Sequence, residues 1–270
     1  KIFQFNFSES FGIISKNNER YALGDVTGDG EDDLVMVEIG KVKEAVVISY
    51  DPVNTKGSSK ASFSIPWPYD RVIGPVLGDI DGDGVNEVVL GNSEFIAAYR
   101  KRKTGENEIE TVLRYDIAQD PLWENANLSG GLLLADIDFD SRPEIFTIVY
   151  DIGGEGETDQ LLIIARDENN PFRGKRYAVS PNGVRKLGPI LDFNLDSKPD
   201  IAVHLYKGEF SGFDNYSILS EKGNWGNSLN KFSEGSYIFP LAQDLDNNGK
   251  IELVFDVNSE SKDNVLRTVS

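Results

Sequence analysis

Acidic residues recur at a fixed spacing in five segments of this 270-residue chain. Each segment begins with an aspartate, has acidic or other polar residues at positions 3 and 5, Gly or Ser at position 6, and an acid at position 9. The first aspartates lie 54, 57, 56 and 52 residues apart. This spacing indicates an internal repeat of about 55 residues, so the chain contains close to five units. The five aspartates are Asp25, Asp79, Asp136, Asp192 and Asp244.

The chemistry that fits this spacing is the binding of a hard divalent cation. Calcium takes about six to eight oxygen ligands, and alternating residues of a tight turn direct their oxygens inward while a small residue at position 6 permits the bend. The backbone carbonyl at position 7 adds one more oxygen. The predicted ligands are Asp25, Thr27, Asp29, Glu31 and Asp33 in loop 1 (25–33); Asp79, Asp81, Asp83, Val85 and Glu87 in loop 2 (79–87); Asp136, Asp138, Asp140, Arg142 and Glu144 in loop 3 (136–144); Asp192, Asn194, Asp196, Lys198 and Asp200 in loop 4 (192–200); and Asp244, Asp246, Asn248, Lys250 and Glu252 in loop 5 (244–252).

These loops account for most of the net charge of the chain. There are 45 acidic and 27 basic residues, which give a formal charge of −18. Seventeen acids lie at the predicted side-chain ligand positions, and the other 28 nearly balance the 27 basic residues. The acidity argues against nucleic acid or anionic lipid as a partner. The absence of cysteine and the single histidine exclude disulfides, thiolate zinc sites, cysteine nucleophiles and multi-histidine metal sites.

An EF-hand also opens with alternating acids, but it requires a glutamate at position 12 and flanking helices. Position 12 of the five loops is occupied by Met36, Leu90, Thr147, Val203 and Phe255. The residues after each loop are mostly β-branched, aliphatic or aromatic, which is typical of buried strands. Each loop is therefore predicted to join one strand to another.

The five units resemble the FG-GAP or VCBS repeats of integrin α-subunits and many secreted bacterial proteins. Phe11 and Gly12 match the "FG" that opens such a repeat, and the resemblance covers nearly the whole chain. It implies an all-β fold, a β-propeller of four-stranded antiparallel blades with a calcium loop between the first two strands of each blade. The chain departs from the pattern because "GAP" is missing and Ser141 and Ser197 replace the usual glycine. These departures either weaken loops 3 and 4 or are compensated by prolines that stiffen the turns.

We expect a single propeller domain over residues 1–270. Five blades would be closed by an N-terminal strand at residues 2–7, because the fifth unit is one strand short, and closure removes exposed sheet edges. The alternative is that the five blades belong to a seven-bladed ring. The strands predicted for the first unit are 21–24, 34–38, 45–50 and 61–65.

Aromatic residues mark two connections between units. Trp67 and Tyr69 follow the first unit, and Trp123 follows the second. The family topology puts these connections on the face opposite the calcium loops, where rings can stack on sugars or on partner side chains. The alternative is that the tryptophans pack between neighbouring blades. The basic run at residues 100–103 precedes a predicted hairpin tip, which favours a solvated turn over a nucleic-acid patch.

The sequence thus predicts a secreted or cell-surface module for adhesion, stabilised by up to five calcium ions, that binds glycan or protein. Extracellular calcium sites with Kd values of about 10⁻⁴ to 10⁻³ M would remain mostly empty in the cytosol. One alternative is a structural subunit of an extracellular assembly, which includes a homo-oligomer. Another is a polysaccharide hydrolase or lyase, although no acid and base pair is singled out, so an enzyme is not expected.

Overall fold

The computed structural model describes most of the chain. The described ranges are 19–38, 44–49, 60–69, 71–102, 109–123, 126–128, 131–151, 159–179, 183–193, 196–205, 215–220, 228–233, 241–243, 252–257 and 265–269. The predicted closing strand at 2–7 and most of loop 5 lie outside these ranges. Glu252 lies in a described strand, although the position of its side chain is not described.

The fold is all-β. Within the described ranges the regular elements are strands, apart from one turn of 3-10 helix at Ile117–Gln119. The strands are β1 Glu19–Gly24, β2 Asp33–Glu38, β3 Glu44–Ser49, β4 Lys60–Pro66, β5 Ile73–Gly78, β6 Glu87–Gly91, β7 Phe95–Lys101, β8 Ile109–Asp116, β9 Ala126–Leu128, β10 Leu133–Ala135, β11 Glu144–Asp151, β12 Gln160–Asp167, β13 Asn170–Val179, β14 Val184–Leu191, β15 Asp200–Leu205, β16 Asn215–Leu219, β17 Ser228–Ser233, β18 Leu241–Gln243, β19 Glu252–Val257 and β20 Val265–Val269. A search of the described residues finds no helix with the length and hydrophobicity to span a membrane.

Each repeat folds as one antiparallel meander. The strand orders β1-β2-β3-β4, β5-β6-β7-β8, β10-β11-β12-β13 and β14-β15-β16-β17 confirm four consecutive strands in units one to four. The expectation of separate four-stranded sheets is not met for units two and three, because β13 pairs in parallel with β8 through Arg173 and Arg114, so both meanders belong to one nine-stranded sheet. The described part of unit five contributes β18-β19-β20. The third meander also has an extra strand, because β9 and β10 both pair with β11 and so share the place of a single first strand.

The chain divides into two compact bodies. Body 1 consists of Lys1–Asp116, Ser141–Pro143 and Arg166–Lys175, and body 2 of Ile117–Asp140, Glu144–Ala165 and Arg176–Ser270. In body 1, alternating residues such as Val35 and Val37 on β2 share a core with Leu90 on β6 and Phe95 on β7. In body 2, the core includes Phe146 and Ile148 on β11, Leu161 and Ile163 on β12, and Ile201 and Val203 on β15.

The strand register defines two ends of the sheets in body 1. Gly24 pairs with Asp33 beside loop 1, and Gly78 pairs with Glu87 beside loop 2. At the other end of the first sheet, Glu44 pairs with Pro66, which immediately precedes Trp67. The connection that carries Trp67 therefore lies at the end opposite loop 1, as the sequence predicts.

Candidate functional site

The described loops share one backbone path, which is held by the aspartate at position 1. In loop 2, Asp79 Oδ1 accepts the N–H groups of Gly82 at 2.7 Å and Asp83 at 2.9 Å, and Asp79 Oδ2 accepts that of Gly84 at 2.8 Å. Asp25 in loop 1 accepts the equivalent three bonds, and Asp192 in loop 4 accepts those from Asp196 and Ser197. These short-range bonds stabilise the turn in the described loops.

This path requires positive φ at positions 4 and 6. Glycines meet the requirement in loops 1 and 2, at Gly28, Gly30, Gly82 and Gly84. Loop 3 adopts it without glycine, with φ of 61° at Phe139 and 68° at Ser141, and loop 4 has φ of 67° at Ser197, its described position 6. The left-handed conformation is unfavourable for side chains with a Cβ, so these loops carry backbone strain.

The acid at position 9 is buried beneath each described loop. Its carboxylate accepts the backbone N–H of position 2, and the bond is 2.8 to 3.0 Å long in all four cases. The pairs are Asp33 with Val26, Glu87 with Ile80, Glu144 with Ile137, and Asp200 with Phe193. The first strand residue after the turn thus presents its acid towards the loop.

Two of the loops gather their carboxylates into clusters that could hold a metal ion. The groups are Asp79, Asp81 and Glu87 in loop 2 and Asp136, Asp138 and Glu144 in loop 3, with ligand oxygens of each group within 4.8 Å of one another. These two loops have an acid at all four predicted side-chain ligand positions. Donor sets made only of oxygen suit hard cations such as calcium or magnesium.

Glu87 gives the clearest indication that loop 2 accommodates a cation. The residue is 0% exposed, its Oε2 accepts the Ile80 N–H, and its Oε1 has no hydrogen-bond partner among the described residues. A buried carboxylate oxygen without a partner carries a substantial desolvation cost. A cation bound with Asp79 and Asp81 would remove that cost, so the residues present fit the ion.

The acids beneath the loops have perturbed pKa values. Burial, followed by the charges of Asp81, Asp79 and Asp83, raises the pKa of Glu87 to about 8. Burial also raises the pKa of Glu144 to about 7, with a further contribution from Asp138. Such shifts arise where like charges converge in a low-dielectric setting without a compensating cation.

Two acids of loop 1 also have perturbed pKa values. Burial raises the pKa of Asp33. Burial alone would also raise the pKa of Asp25, but hydrogen bonds from the backbone N–H groups, of which Gly30 and Gly28 are the strongest, outweigh it and lower that pKa. Asp25 is thus held ionised by the turn that it organises.

Within body 1, position 4 of one loop contacts position 7 of the next. A Cβ added at Gly28 would lie 2.9 Å from Val85 Cγ2, and one at Gly82 would lie 3.3 Å from Arg142 Cγ. The Asn86 N–H also donates to the Asp25 carbonyl at 3.1 Å. Glycine at position 4 therefore serves close packing between loops as well as the turn.

Arg100 is a site residue that the sequence interpretation assigned wrongly. Instead of extending into solvent near a hairpin tip, it lies on β7 and its Nη1 contacts Asp81 Oδ2 at 2.5 Å and Asp83 Oδ2 at 3.0 Å. Its side chain is only 21% exposed. The available signal was that Arg100 directly follows the largely apolar stretch from Phe95 to Tyr99, so it continues that strand.

The aromatic residues proposed for ligand stacking are mostly buried. Trp67 is 3% exposed, its Nε1 donates to the Arg71 carbonyl at 2.9 Å, and its ring packs against Phe95 with centroids 5.8 Å apart. Trp123 is 7% exposed. The expectation of open tryptophan faces is therefore corrected in favour of packing, whereas Tyr69 retains 37% exposure.

Some predicted ligands are not covered by the described ranges. Asn194 of loop 4 lies outside them, as do Asp244, Asp246, Asn248 and Lys250 of loop 5. In loops 1 and 4, as in loop 2, the acids at positions 1 and 9 accept backbone N–H groups of the loop. Their metal-binding role stays a prediction.

No protein-family model and no curated protein sequence matches the chain. Among solved structures it is similar to an Agrocybe aegerita lectin that recognises non-reducing terminal N-acetylglucosamine (16% identity, TM-score 0.47) and to the C-terminal domain of Pseudomonas aeruginosa PilY1 (11%, 0.44). It is also similar to the V. cholerae biofilm matrix protein Bap1 (15%, 0.36). The matches cover 84%, 87% and 82% of this chain but only 54%, 56% and 40% of those chains. TM-scores below 0.5 at this sequence identity do not support an assignment of function.

Proposed function

We propose that the chain is a calcium-stabilised β-propeller of the FG-GAP or VCBS type that acts as a secreted or cell-surface binding module. The observation that carries the proposal is the buried Glu87 Oε1, which lacks a partner among the described residues and belongs to one cluster with Asp79 and Asp81. Bound calcium would neutralise the converging carboxylates. Asp79 orders the turn, and Glu87 connects the loop to β6.

Calcium is favoured over other cations by the donor set. Zinc prefers nitrogen and sulfur ligands, and magnesium requires near-ideal octahedral geometry and retains several waters. Loops of aspartate and glutamate with carbonyl oxygens suit the larger and more adaptable calcium ion. Extracellular modules bind calcium with Kd values of about 10⁻⁴ to 10⁻³ M, and we assign these loops to that class and the chain to an extracellular location.

The propeller is supported by the repetition of one meander. Four meanders of four strands follow the chain order, and each described loop joins the first and second strands of its meander. We assign five blades, with residues 2–7 supplying the strand that the last sheet lacks. Closure of this kind protects edges that would otherwise pair with other chains.

A binding role is favoured over catalysis because the convergent acids serve the turns. Asp79, Asp25 and their equivalents accept backbone bonds, which holds them in the loops. The ligand, a glycan or a protein, is assigned to the end opposite the loops. There, Tyr69 packs on Phe95 at 5.2 Å, and the Arg114 guanidinium lies 3.8 Å above the Phe95 ring. Tyr69 is the aromatic residue of this cluster with an accessible surface.

Calcium binding is tested by calorimetric titration of the full chain with calcium chloride. We expect millimolar-range binding, and the double variant D79N/E87Q is expected to lose one site. D116N is the matched control, because Asp116 pairs with Arg114 at the opposite end. Titration curves that are the same for the wild type and D79N/E87Q would contradict the assignment of loop 2.

Ligand binding is tested on a glycan array with and without chelator. We expect binding in calcium that Y69A abolishes while the melting temperature in calcium is retained. Silence on the array together with concentration-dependent oligomers would favour the assembly alternative. Turnover of a polysaccharide would overturn the binding-module proposal.

A further inference from the structure

Arg100 lies beside loop 2 and contacts Asp81 and Asp83, two acids that a metal bound in this loop would also contact. Besides its contacts with Asp81 and Asp83, its Nε lies 3.5 Å from Glu110 Oε2. Glu110 is the direct cross-strand partner of Arg100 on β8. The guanidinium is thus held by one carboxylate on its own sheet and reaches two carboxylates of the loop.

In both Asp81 and Asp83, one carboxylate oxygen accepts a backbone N–H of the turn and the other contacts Arg100. Asp81 Oδ1 accepts the Asp83 N–H at 3.2 Å, and Asp83 Oδ1 accepts the Val85 N–H at 3.0 Å. Arg100 contacts the Oδ2 atom of each residue. A cation that used Asp81 and Asp83 through those Oδ2 atoms would have to compete with the guanidinium.

The strand register shows that this arginine lies beside loop 2 and that the equivalent position is uncharged in the other three described four-stranded meanders. Val88 pairs with Tyr99, and Arg100 is the next residue. The equivalent pairs are Leu34 with Ile48, Ile145 with Ile164, and Ile201 with Leu219. The residues that follow them are Ser49, Ala165 and Ser220.

Two further arginines of body 1 lie against the same loop. Arg166 Nη1 donates to the Asp81 carbonyl at 3.2 Å, and the Arg142 stem packs beside Gly82. Burial disfavours the charge of Arg100, but Asp81, Glu110 and Asp83 more than offset this effect and raise its pKa. Three arginines of body 1 therefore lie against loop 2.

We propose that Arg100 is a built-in counter-cation that holds loop 2 in its folded form without metal and competes with the metal for Asp81 and Asp83. The inference rests on the calcium binding proposed above. A fixed positive charge a few ångströms from a divalent ion opposes its binding, and the same charge offsets repulsion among the acids of the empty loop. Loop 2 therefore binds calcium more weakly than its four acids alone would, and its folded conformation depends less on calcium.

The test is calorimetric titration of the full chain with calcium chloride, combined with thermal melting in excess chelator. R100Q is expected to tighten one calcium site on the order of tenfold, from the Coulomb energy of a partly exposed charge pair. It is also expected to lower the melting temperature in chelator by a few degrees. R100K keeps the charge without the planar fork and is expected to stay within about threefold of the wild-type Kd.

Controls separate this effect from general charge effects. R114Q removes a guanidinium paired with Asp116 at the other end of the sheet, so its calcium titration should match that of the wild type. In an E87Q background, R100Q should no longer tighten calcium binding, because both changes act on one site.

Two outcomes distinguish failure of the Arg100 inference from failure of the proposed calcium binding. If calcium binds but R100Q leaves the Kd unchanged or weakens it, Arg100 is not a competitor and this inference is overturned alone. If neither the wild type nor R100Q binds calcium, the proposed function fails and the inference fails with it.

Discussion

Loops 2 and 3 each bring three equivalent carboxylates together, but different residue types occupy the positive-φ positions of their backbones. Loop 2 has Gly82 and Gly84 at the two positive-φ positions, whereas loop 3 has Phe139 and Ser141 there. The acid of position 9 bonds to the N–H of position 2 in both loops. The comparison shows that bonds between the acids and the backbone select this path, and that glycine only lowers its energetic cost.

The two loops also differ in the charges around them. Arg100 contacts two acids of loop 2, and the third-strand position equivalent to Arg100 in the sheet of loop 3 is Ala165. Nevertheless burial raises the pKa of the position 9 acid in both loops, to about 8 for Glu87 and about 7 for Glu144. The counter-cation reaches the outer acids at positions 3 and 5, while the acid beneath the loop remains poorly compensated.

Removal of calcium is expected to have the largest effect on both loops. Each site at about a hundredfold excess of calcium over Kd contributes about 2.7 kcal/mol to the free energy of unfolding. Two such sites correspond to a fall in melting temperature of about 10 °C or more for a chain of this size. The measurement is thermal melting followed by circular dichroism in calcium and in excess chelator, and superimposable curves would disprove the stabilising role.

Replacement of the buried glutamates should give an effect that depends on calcium. E87Q and E144Q each remove a proposed charged ligand, so in calcium we expect a loss of about 5 °C, corresponding to one site. In chelator at pH 8, the amide removes a buried charge while its oxygen still accepts the N–H of Ile80 or Ile137, so neither variant should be destabilised. The same loss with and without calcium would indicate a purely structural role.

The pH dependence of the calcium-free protein should be opposite to that of an ordinary ion-paired acid. The folded pKa values of Glu87 and Glu144 exceed the usual glutamate value of 4.5, so the folded state binds more protons than the unfolded state above that pH. Stability in chelator should therefore fall as pH rises from about 5 to about 8, by a few degrees in melting temperature. A rise across this window would contradict the two pKa shifts.

Exchanging glycine and serine at position 6 should give the smallest effects, with opposite signs in the two loops. G84S introduces strain of about 1 to 2 kcal/mol, and an added Cβ at Gly84 meets nothing within 4 Å, so backbone conformation alone is tested. S141G relieves that strain but increases the entropy of the unfolded chain, so a gain of at most about 1 kcal/mol is expected. Chemical denaturation in chelator measures both, and destabilisation by S141G would show that Ser141 makes interactions that outweigh its strain.

The repeat and its local turns were predictable because their determinants lie close together in sequence. The strands predicted at 34–38 and 45–50 are observed as β2 and β3 within one residue at either end. The aspartate at position 1 bonds to N–H groups only three to five residues away. Such contacts form without residues that are distant in sequence, so a local pattern is enough to predict them.

The sequence alone determined the all-β character, the repeat length and the acids that converge in each loop, because alternation and short turns are local properties of the chain. Only the tertiary structure decided that Trp67 is buried and that Arg100 faces Asp81, 19 residues away. Those outcomes depend on which strands pair and in what register. The role of such a residue is set by neighbours that are distant in sequence, and a local sequence pattern does not predict those neighbours.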